Sequence, residues 1–268
     1  MYVDINVIVN RREGMAASEG GFVWYELMTS DVSAAAAFYA KVAGWSMAYS
    51  QIPGMDYTLA KVGKRQVAGL MGFPPAIKNK QPMWFGYILV ADVDDMAKRV
   101  RDAGGTVHRE PTDIPNVGRF AVVADPQGAM FMLFRGSGEP APELAADAPG
   151  TVGWRELHTT DWEEALAFYQ DLFAWEISMA KDMGPMGVYQ TFSVAGAWTG
   201  GMMKGGGSPY PHWLYYINVD DIDAAAMRVA EAGGQVQHGP HEVPGGNWIV
   251  MGKDPQGAEF ALTGSRQT

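Results

Sequence analysis

The sequence predicts an α+β protein that consists of two tandem copies of one domain. The first observation is a repeated phrase, which reads WYELMTSD at residues 24–31 and WRELHTTD at residues 154–161. The second is that four further blocks recur in the same order and at nearly constant spacing, which indicates a duplicated domain. These blocks pair AAFYAKVAGW with LAFYQDLFAW, WFGYILVADVDD with WLYYINVDDIDA, AGGTV with AGGQV, and ADPQGAMF with KDPQGAEF.

Each copy opens with a strand that is followed by a capped helix. In the first copy FVWYELM alternates as a strand does, and Asp31 is placed to cap the helix that contains SAAAAFYAKVAGW. Phe38 and Val42 lie four residues apart and therefore share one face of that helix. In the second copy Asp161 takes the capping position, with Glu164 at capping-box spacing ahead of ALAFYQDLF.

The rest of each copy repeats this scheme. YTLAKV and QVAGLMGF are short strand-like runs, after which WFGYILV begins a second unit. DVDDMAKRVRDA predicts a helix that ends at Gly104 and Gly105, and RFAVVAD and AMFMLFR predict further strands. Each copy is therefore a strand, a helix and strands, twice over, which gives four such units in the chain.

The segment GSGEPAPELAADAPG at residues 136–150 separates the copies. It is rich in Pro, Ala, Gly and acidic residues, a composition typical of a linker. We therefore expect the following division of the chain: an N-terminal leader or edge strand at 1–19, a first domain at 20–136, a linker at 137–149 and a second domain at 150–264.

Composition and charge favour a cytoplasmic protein that handles small molecules. The net charge of −10 disfavours nucleic-acid and anionic-membrane partners, because both require clustered Lys and Arg. The absence of cysteine excludes disulfides, thiolate catalysis and zinc–cysteine sites. Asp4 lies where a signal peptide carries positive charge, so secretion is not expected. We expect a small-molecule partner and either a monomer with paired domains or a homodimer.

The repeated motifs resemble those of the vicinal oxygen chelate superfamily, which includes glyoxalase I, extradiol dioxygenases, fosfomycin-resistance enzymes and bleomycin-resistance proteins. The resemblance lies in the strand followed by TSD or TTD, in AAAAFYAKVAGW and LAFYQDLFAW, and in the two DPQGA turns before a final strand. It covers roughly residues 20–264 and fits the tandem-domain glyoxalase-like branch. The resemblance implies that each domain pairs two βαβββ units, whose curved sheet encloses a cup with the site inside.

The resemblance also implies where the family binds its metal, and this sequence departs from the family there. None of the side chains at the implied positions is a good ligand for a hard or borderline divalent ion. We therefore expect no metal and no other cofactor at the usual site. The implied positions hold Trp24, Phe85 and Met132 in the first copy, and Trp154, Leu214 and Ala261 in the second.

Strand alternation adds further inward-facing side chains. Glu26 and Met28 share a face with Trp24, and Tyr87 shares a face with Phe85. Each cup should therefore contain one Glu and one Tyr at equivalent places. In the second copy the corresponding residues are Trp154, Glu156, His158, Leu214 and Tyr216.

We predict a catalytic role for the four residues Glu26, Tyr87, Glu156 and Tyr216. The glutamate would act as a general base whose pKa is raised by apolar walls, and the tyrosine would orient it or the substrate. The alternative is a buried Glu–Tyr hydrogen bond that merely satisfies two polar groups.

The second cup is more polar than the first, because three inward residues differ. Met28 becomes His158, Met83 becomes His212 and Met130 becomes Glu259. We expect these groups to form a polar lining, and a divalent metal held by His158, His212 and Glu259 is the alternative. The predicted ligand-binding residues are Trp24, Met28, Phe85, Met130, Met132, Trp154, His158, His212, Leu214 and Glu259.

Three classes of function follow from these patterns. The first is a protein that binds or processes a small organic molecule in apolar, Trp- and Met-lined cups without the usual metal. The second is a metal-dependent glyoxalase-like lyase or dioxygenase-like oxidoreductase with a rebuilt site in the second domain. The third is a protein in which duplication serves assembly alone. The first class is the expectation, because Trp and Met residues occupy implied ligand positions, and the absence of a complete catalytic constellation is what motivates the third class.

Overall fold

The computed structural model describes most of the chain. Residues 1–17, which contain most of the expected leader or edge strand, lie outside the described residues, as do residues 139–143 of the expected linker. The described ranges are 18–49, 56–75, 77, 80–138, 144–205 and 210–267.

The first half of the chain forms one mixed sheet and two helices. Its strands are β1 (Phe22–Thr29), β2 (Ser46–Tyr49), β3 (Tyr57–Val62), β4 (Arg65–Gly72), β5 (Met83–Leu89), β6 (Thr106–Ile114), β7 (Gly118–Ala124) and β8 (Met130–Gly136), and its helices are α1 (Val32–Ala43) and α2 (Val93–Asp102). The strand order is β2-β3-β4-β1-β5-β8-β7-β6. β1 pairs with β4 in parallel and with β5 antiparallel, so the two βαβββ units join at β1 and β5.

The second half repeats this arrangement. Its strands are β9 (Val152–Thr159), β10 (Glu176–Asp182), β11 (Val188–Val194), β12 (Ala197–Lys204), β13 (His212–Val219), β14 (Gln235–Glu242), β15 (Trp248–Lys253) and β16 (Glu259–Gly264), and its helices are α3 (Trp162–Phe173) and α4 (Ile222–Glu231). The strand order β10-β11-β12-β9-β13-β16-β15-β14 matches that of the first sheet position by position.

This architecture confirms the predicted α+β fold of two tandem domains, each built from two βαβββ units. The capping prediction is also confirmed: Asp31 accepts a hydrogen bond from the backbone N–H of Ala34, and Asp161 accepts from those of Glu163 and Glu164. No helix in the described part of the chain is long and apolar enough to cross a membrane.

The two domains share one hydrophobic core. α1 packs against α4, and α2 packs against α3, so each helix pair joins the two halves of the chain. The indole of Trp45 donates to the carbonyl oxygen of Gly150 at 2.7 Å, and that of Trp175 donates to the carbonyl oxygen of Gly20 at 2.8 Å. These reciprocal bonds tie the residue just before the first strand of each domain to the tryptophan that follows the first helix of the other.

Two buried polar chains cross the same interface. The hydroxyl of Tyr39 donates to Asp254 at 3.2 Å and accepts from the indole of Trp84 at 2.9 Å. The equivalent hydroxyl, on Tyr169, donates to Asp125 at 3.2 Å and accepts from the indole of Trp213 at 3.1 Å. Both aspartates belong to the DPQG turns and also accept backbone N–H groups of their own turn. Burial raises the pKa of both carboxyls despite these bonds.

We predict that Tyr39→Phe and Tyr169→Phe each lower the free energy of unfolding by about 1–3 kcal/mol, because each leaves a buried indole N–H and a buried carboxyl short of one partner. Urea unfolding measures the loss. Tyr49→Phe is the matched control, since Tyr49 is 69% exposed and the change should stay within about 0.5 kcal/mol. Wild-type stability in both core variants would contradict an energetic role for the chains.

Candidate functional site

The face of the first sheet that lies opposite the helices carries a cross-strand network centred on Glu26. The hydroxyl of Tyr87 on β5 donates to Glu26 at 2.8 Å, and that of Tyr57 on β3 donates to the other carboxylate oxygen at 3.0 Å. Glu26 is only 6% exposed. We call this face, defined by Trp24, Glu26, Met28, Phe85 and Tyr87, the first cup.

A glycine makes this network geometrically possible. β4 lies between β3 and β1, and its Gly69 pairs in register with Glu26. A Cβ atom at Gly69 would stand 2.0 Å from the hydroxyl oxygen of Tyr57, so only a residue without a side chain lets the phenol cross β4. A glycine in a strand interior often marks such a close approach.

The second sheet repeats the network on the face that we call the second cup, defined by Trp154, Glu156, His158, Leu214 and Tyr216. The hydroxyls of Tyr189 on β11 and Tyr216 on β13 donate to the two oxygens of Glu156, at 2.8 Å and 3.0 Å. The indole of Trp154 donates to the hydroxyl of Tyr189 at 2.8 Å. Gly201, which pairs with Glu156, is the crossing glycine, because its Cβ atom would lie 2.4 Å from the Tyr189 ring.

Sequence reasoning brought Glu26 together with Tyr87, and Glu156 together with Tyr216, as the structure does. It missed Tyr57 and Tyr189, which complete the two networks. The available signal was a glycine inside the runs QVAGLMGF and TGGMMK, each of which directly follows the tyrosine's strand in the chain. Only the strand order shows that these glycines lie beneath the tyrosines.

His158 makes the second cup electrostatically different from the first. Its Nε2 atom lies 2.9 Å from Glu156 Oε1, and its Nδ1 atom donates to the carbonyl oxygen of Gly205 at 3.0 Å. Because a carbonyl oxygen only accepts, Nδ1 carries a proton, and a second proton lies between Nε2 and Glu156. Both ring nitrogens are therefore committed to partners within the protein.

The two equivalent glutamates consequently shift in opposite directions. Burial raises the pKa of Glu26, and the bonds from Tyr87 and Tyr57 offset this only in part. Burial also acts to raise the pKa of Glu156, but the hydrogen bond and charge of His158 outweigh it and hold that pKa below its ordinary value. Burial lowers the pKa of His158, whereas Glu156 raises it and prevails. The second cup therefore contains a buried imidazolium–carboxylate pair.

His212 and Glu259 form a second histidine–glutamate contact next to the first. The His212 ring stacks on the His158 ring with centroids 4.9 Å apart and planes inclined by 11°. Its Nε2 atom lies 3.3 Å from Glu259, whose other oxygen lies 3.3 Å from the ammonium of Lys253. The hydrogen bond from His212 lowers the pKa of Glu259 to about 2, against the effect of burial.

A shared divalent metal at His158, His212 and Glu259 does not fit this geometry. A metal lies in the plane of each imidazole that ligates it, and two stacked, nearly parallel rings have no such common point. Each Nε2 atom is instead turned toward a different carboxylate. Among the described residues no group of three or more His, Cys, Asp or Glu side chains is placed to hold a metal. The predicted alternative of a metal rebuilt from these residues is thus not supported.

The other predicted ligand-binding residues lie at two depths. Met132 is fully buried, and Phe85 and Leu214 are nearly so, which makes them the floor of their cups. Trp24, Met28, Met130 and Trp154 are half-buried and reach the surface of the cups. Beside the second cup lies a cleft of about 150 Å³, to which His158, Thr159, Lys204 and Gly205 contribute. Whether these residues bind a ligand stays a prediction.

Comparison with known proteins assigns the family. The profile described as Glyoxalase/Bleomycin resistance protein/Dioxygenase superfamily matches residues 21–133 and 151–262. Because these two matches cover most of the chain and coincide with the two sheets, the chain belongs to this superfamily, as the sequence motifs predicted.

Two relatives match this chain over most of its length and of theirs. The chain is 34% identical over 246 residues to a Mycobacterium tuberculosis protein named "Putative glyoxylase CFP32", with 89% of this chain and 92% of the relative covered. It is 32% identical to the anthracycline biosynthesis protein DnrV of Streptomyces peucetius, with 92% and 94% covered. The Mn(II)-bound glyoxalase of Novosphingobium aromaticivorans has the same fold, with a TM-score of 0.64 at 19% identity and coverage of 95% and 84%.

We predict that His158→Met reverses the pKa shift of Glu156, because burial persists while the imidazolium is lost. In the wild type, the lowered pKa of Glu156 stabilises the fold at pH values above the ordinary pKa of a glutamate. This stabilisation is lost as the pH falls through the lowered pKa. The raised pKa of His158 stabilises the fold at pH values below the ordinary pKa of a histidine. This stabilisation is lost as the pH rises through the raised pKa. The variant should thus lose about 1–3 kcal/mol at neutral pH and less in acid.

Carboxyl ¹³C NMR titration and urea unfolding at several pH values measure these two effects. Met28→His is the matched reciprocal variant, and it should lower the pKa of Glu26, whose present value is raised by burial. An unchanged pKa of Glu156 in His158→Met would show that the imidazole is not what holds it down.

We predict that Gly69→Ala disrupts the first cup, because a methyl group would displace the Tyr57 hydroxyl from Glu26. The expected loss is about 1–3 kcal/mol in urea unfolding, with a changed environment of the Tyr57 ring in NMR spectra. Gly72→Ala on the same strand is the control, since its Cβ atom would meet only the Val32 side chain at 4.0 Å. Equal stability of the two variants would contradict the crossing.

Proposed function

We propose that the protein binds a small organic molecule on the cup faces of its two sheets. The observation that carries this proposal is the apolar cluster of the first cup, which is separate from the shared core. In this cluster the partly buried apolar residues outnumber the buried ones. A partly exposed apolar face of this kind is typical of a ligand site, because covering it removes apolar surface from water.

The names of the relatives support the same class of ligand. One relative is named a glyoxylase and another an anthracycline biosynthesis protein, and both names refer to chemistry on small organic molecules. The names differ in substrate, so they support the class rather than one compound. Our proposal therefore extends from small oxygenated molecules to polycyclic aromatic ones.

Acid–base catalysis in the second cup is the second candidate function. The observation that favours it is the buried contact of 2.9 Å between Glu156 and His158 beside a cleft. A buried imidazolium–carboxylate pair can give and take a proton with little rearrangement. In the first cup Met28 occupies the position of His158, so Glu26 has no imidazole beside it. Catalysis there requires that a ligand displace a tyrosine hydroxyl from Glu26.

We predict that a panel of thiol adducts of methylglyoxal, catechols and anthraquinones contains a ligand that raises the midpoint of thermal unfolding. A ligand at 100 times its Kd should stabilise the fold by about 2.7 kcal/mol. Trp24→Ala or Trp154→Ala should weaken binding, as isothermal titration would measure. Met227→Ala is the control, because Met227 is exposed on α4, on the helix side of the sheet.

A separate measurement tests acid–base catalysis in the second cup. If the wild type turns over a member of the panel, Glu156→Gln should reduce kcat by about 100-fold or more, while Met227→Ala leaves kcat unchanged. Turnover that survives in Glu156→Gln would eliminate the catalytic role. Absence of any stabilising compound, in either cup, would eliminate the binding proposal itself.

A further inference from the structure

A row of three methionines crosses the first cup. Met28 on β1 pairs in register with Met71 on β4 and with Met83 on β5, and residues paired in register point to the same face. All three side chains are half-buried. Because adjacent strands lie about 4.8 Å apart, the three side chains form a row across three neighbouring strands. Methionine side chains adapt to irregular partners and make favourable contacts with aromatic rings.

The equivalent row in the second cup is different in kind. His158 pairs in register with Met203 and with His212, so two of the three thioethers are replaced by imidazoles. These imidazoles are already held by Glu156 and Glu259. Covering this rim with an apolar ring would bury the Glu259 carboxylate and the Lys253 ammonium, which solvent now reaches in part, and such burial is costly. The second cup is therefore the poorer surface for an aromatic ligand.

Aromatic side chains continue the apolar surface of the first cup toward β7. Phe120 belongs to the same cluster as Phe85 and Met132, and Met130 and Phe134 pack against it. In the second cup Ile249 stands in place of Phe120, and Glu259 in place of Met130. The first cup thus offers a broad, nearly uncharged surface to a flat molecule.

One cation stands at the edge of this surface. Arg109 on β6 pairs in register with Val122 of the same cluster, is exposed, and places its guanidinium 4.8 Å from the centre of the Phe120 ring. Nearby Arg101 and Arg119 each form an ion pair with a carboxylate. Among the described residues no carboxylate pairs with Arg109. Its charge is therefore available to a ligand that lies on the ring surface.

From this juxtaposition we propose that the first cup is a site for a planar aromatic anion. The ring system lies on the apolar surface that extends from Met28 and Met83 to Phe120, and the anionic substituent is met by Arg109 at the Phe120 end of that surface. This inference rests on the proposed function and deepens it, because it assigns one cup and one ligand class. It adds Phe120 and Arg109 as binding residues, and it assigns the ion-paired second cup to other ligands.

Methyl NMR on the full chain with ¹³C-methyl methionine tests the location. The probe is anthraquinone-2-carboxylate, and its methyl ester is the uncharged match. We expect upfield ring-current shifts of the Met28 and Met83 signals, assigned with single Met→Leu variants, and an unshifted signal for Met203. Shifts at Met203 without shifts at Met28 would overturn the assignment to the first cup.

Two variants test the chemistry of recognition. Arg109→Gln should weaken binding of the carboxylate by about 10-fold and leave binding of the ester unchanged. Lys204→Gln, beside the second cup, is the matched charge control and should change neither. The double variant Met28→His with Met83→His gives the first cup the imidazole rim of the second, and it should weaken both probes by about 10-fold or more. Thermal unfolding checks that the variants are folded.

The outcomes separate this inference from the proposed function. Equal affinity for acid and ester, together with no effect of Arg109→Gln, would overturn the assignment of an anion. Binding of the probes or of other panel compounds in the second cup alone would overturn the inference while the proposed function stands. Absence of binding to either cup by every compound would overturn both.

Discussion

The reciprocal Asp–Tyr–Trp chains between the domains are the constraint on which the rest of the structure depends. Asp125 of the first domain accepts from Tyr169 of the second, and Asp254 of the second accepts from Tyr39 of the first. Each aspartate also holds its own DPQG turn, so one carboxyl fixes both a turn and the helix of the other domain. Since the helices and the core side chains are thereby committed to the interface, the opposite face of each sheet is left for the cups.

The cups are held by a second repeated device, in which a buried glutamate receives hydroxyl groups from two tyrosines on other strands. The crossing glycines Gly69 and Gly201 allow a phenol to span an intervening strand. A network of this type fixes strand positions because every polar group in it needs its partner. It therefore serves structure in both cups, and a catalytic role is an additional demand on the same carboxyls.

Duplication followed by divergence explains why one framework contains two different environments. Glu26 and Glu156 have the same burial and equivalent tyrosine donors, yet the pKa of the first is raised and that of the second is lowered. The difference arises from a single position, where Met28 faces Glu26 and His158 faces Glu156. A thioether adds no charge, whereas an imidazolium supplies the counter-charge that burial otherwise denies a carboxylate.

The sequence by itself determined the duplicated fold, the aspartate caps and the membership of the superfamily, because strand alternation, capping residues and repeats are local or directly comparable along the chain. It also placed Glu26 with Tyr87 and Glu156 with Tyr216, since these follow from alternation within adjacent strands. It could not supply Tyr57 and Tyr189, or show that His158 and His212 stack and face separate carboxylates. Those features depend on strand order and on the positions of ring atoms, which only the tertiary structure decides.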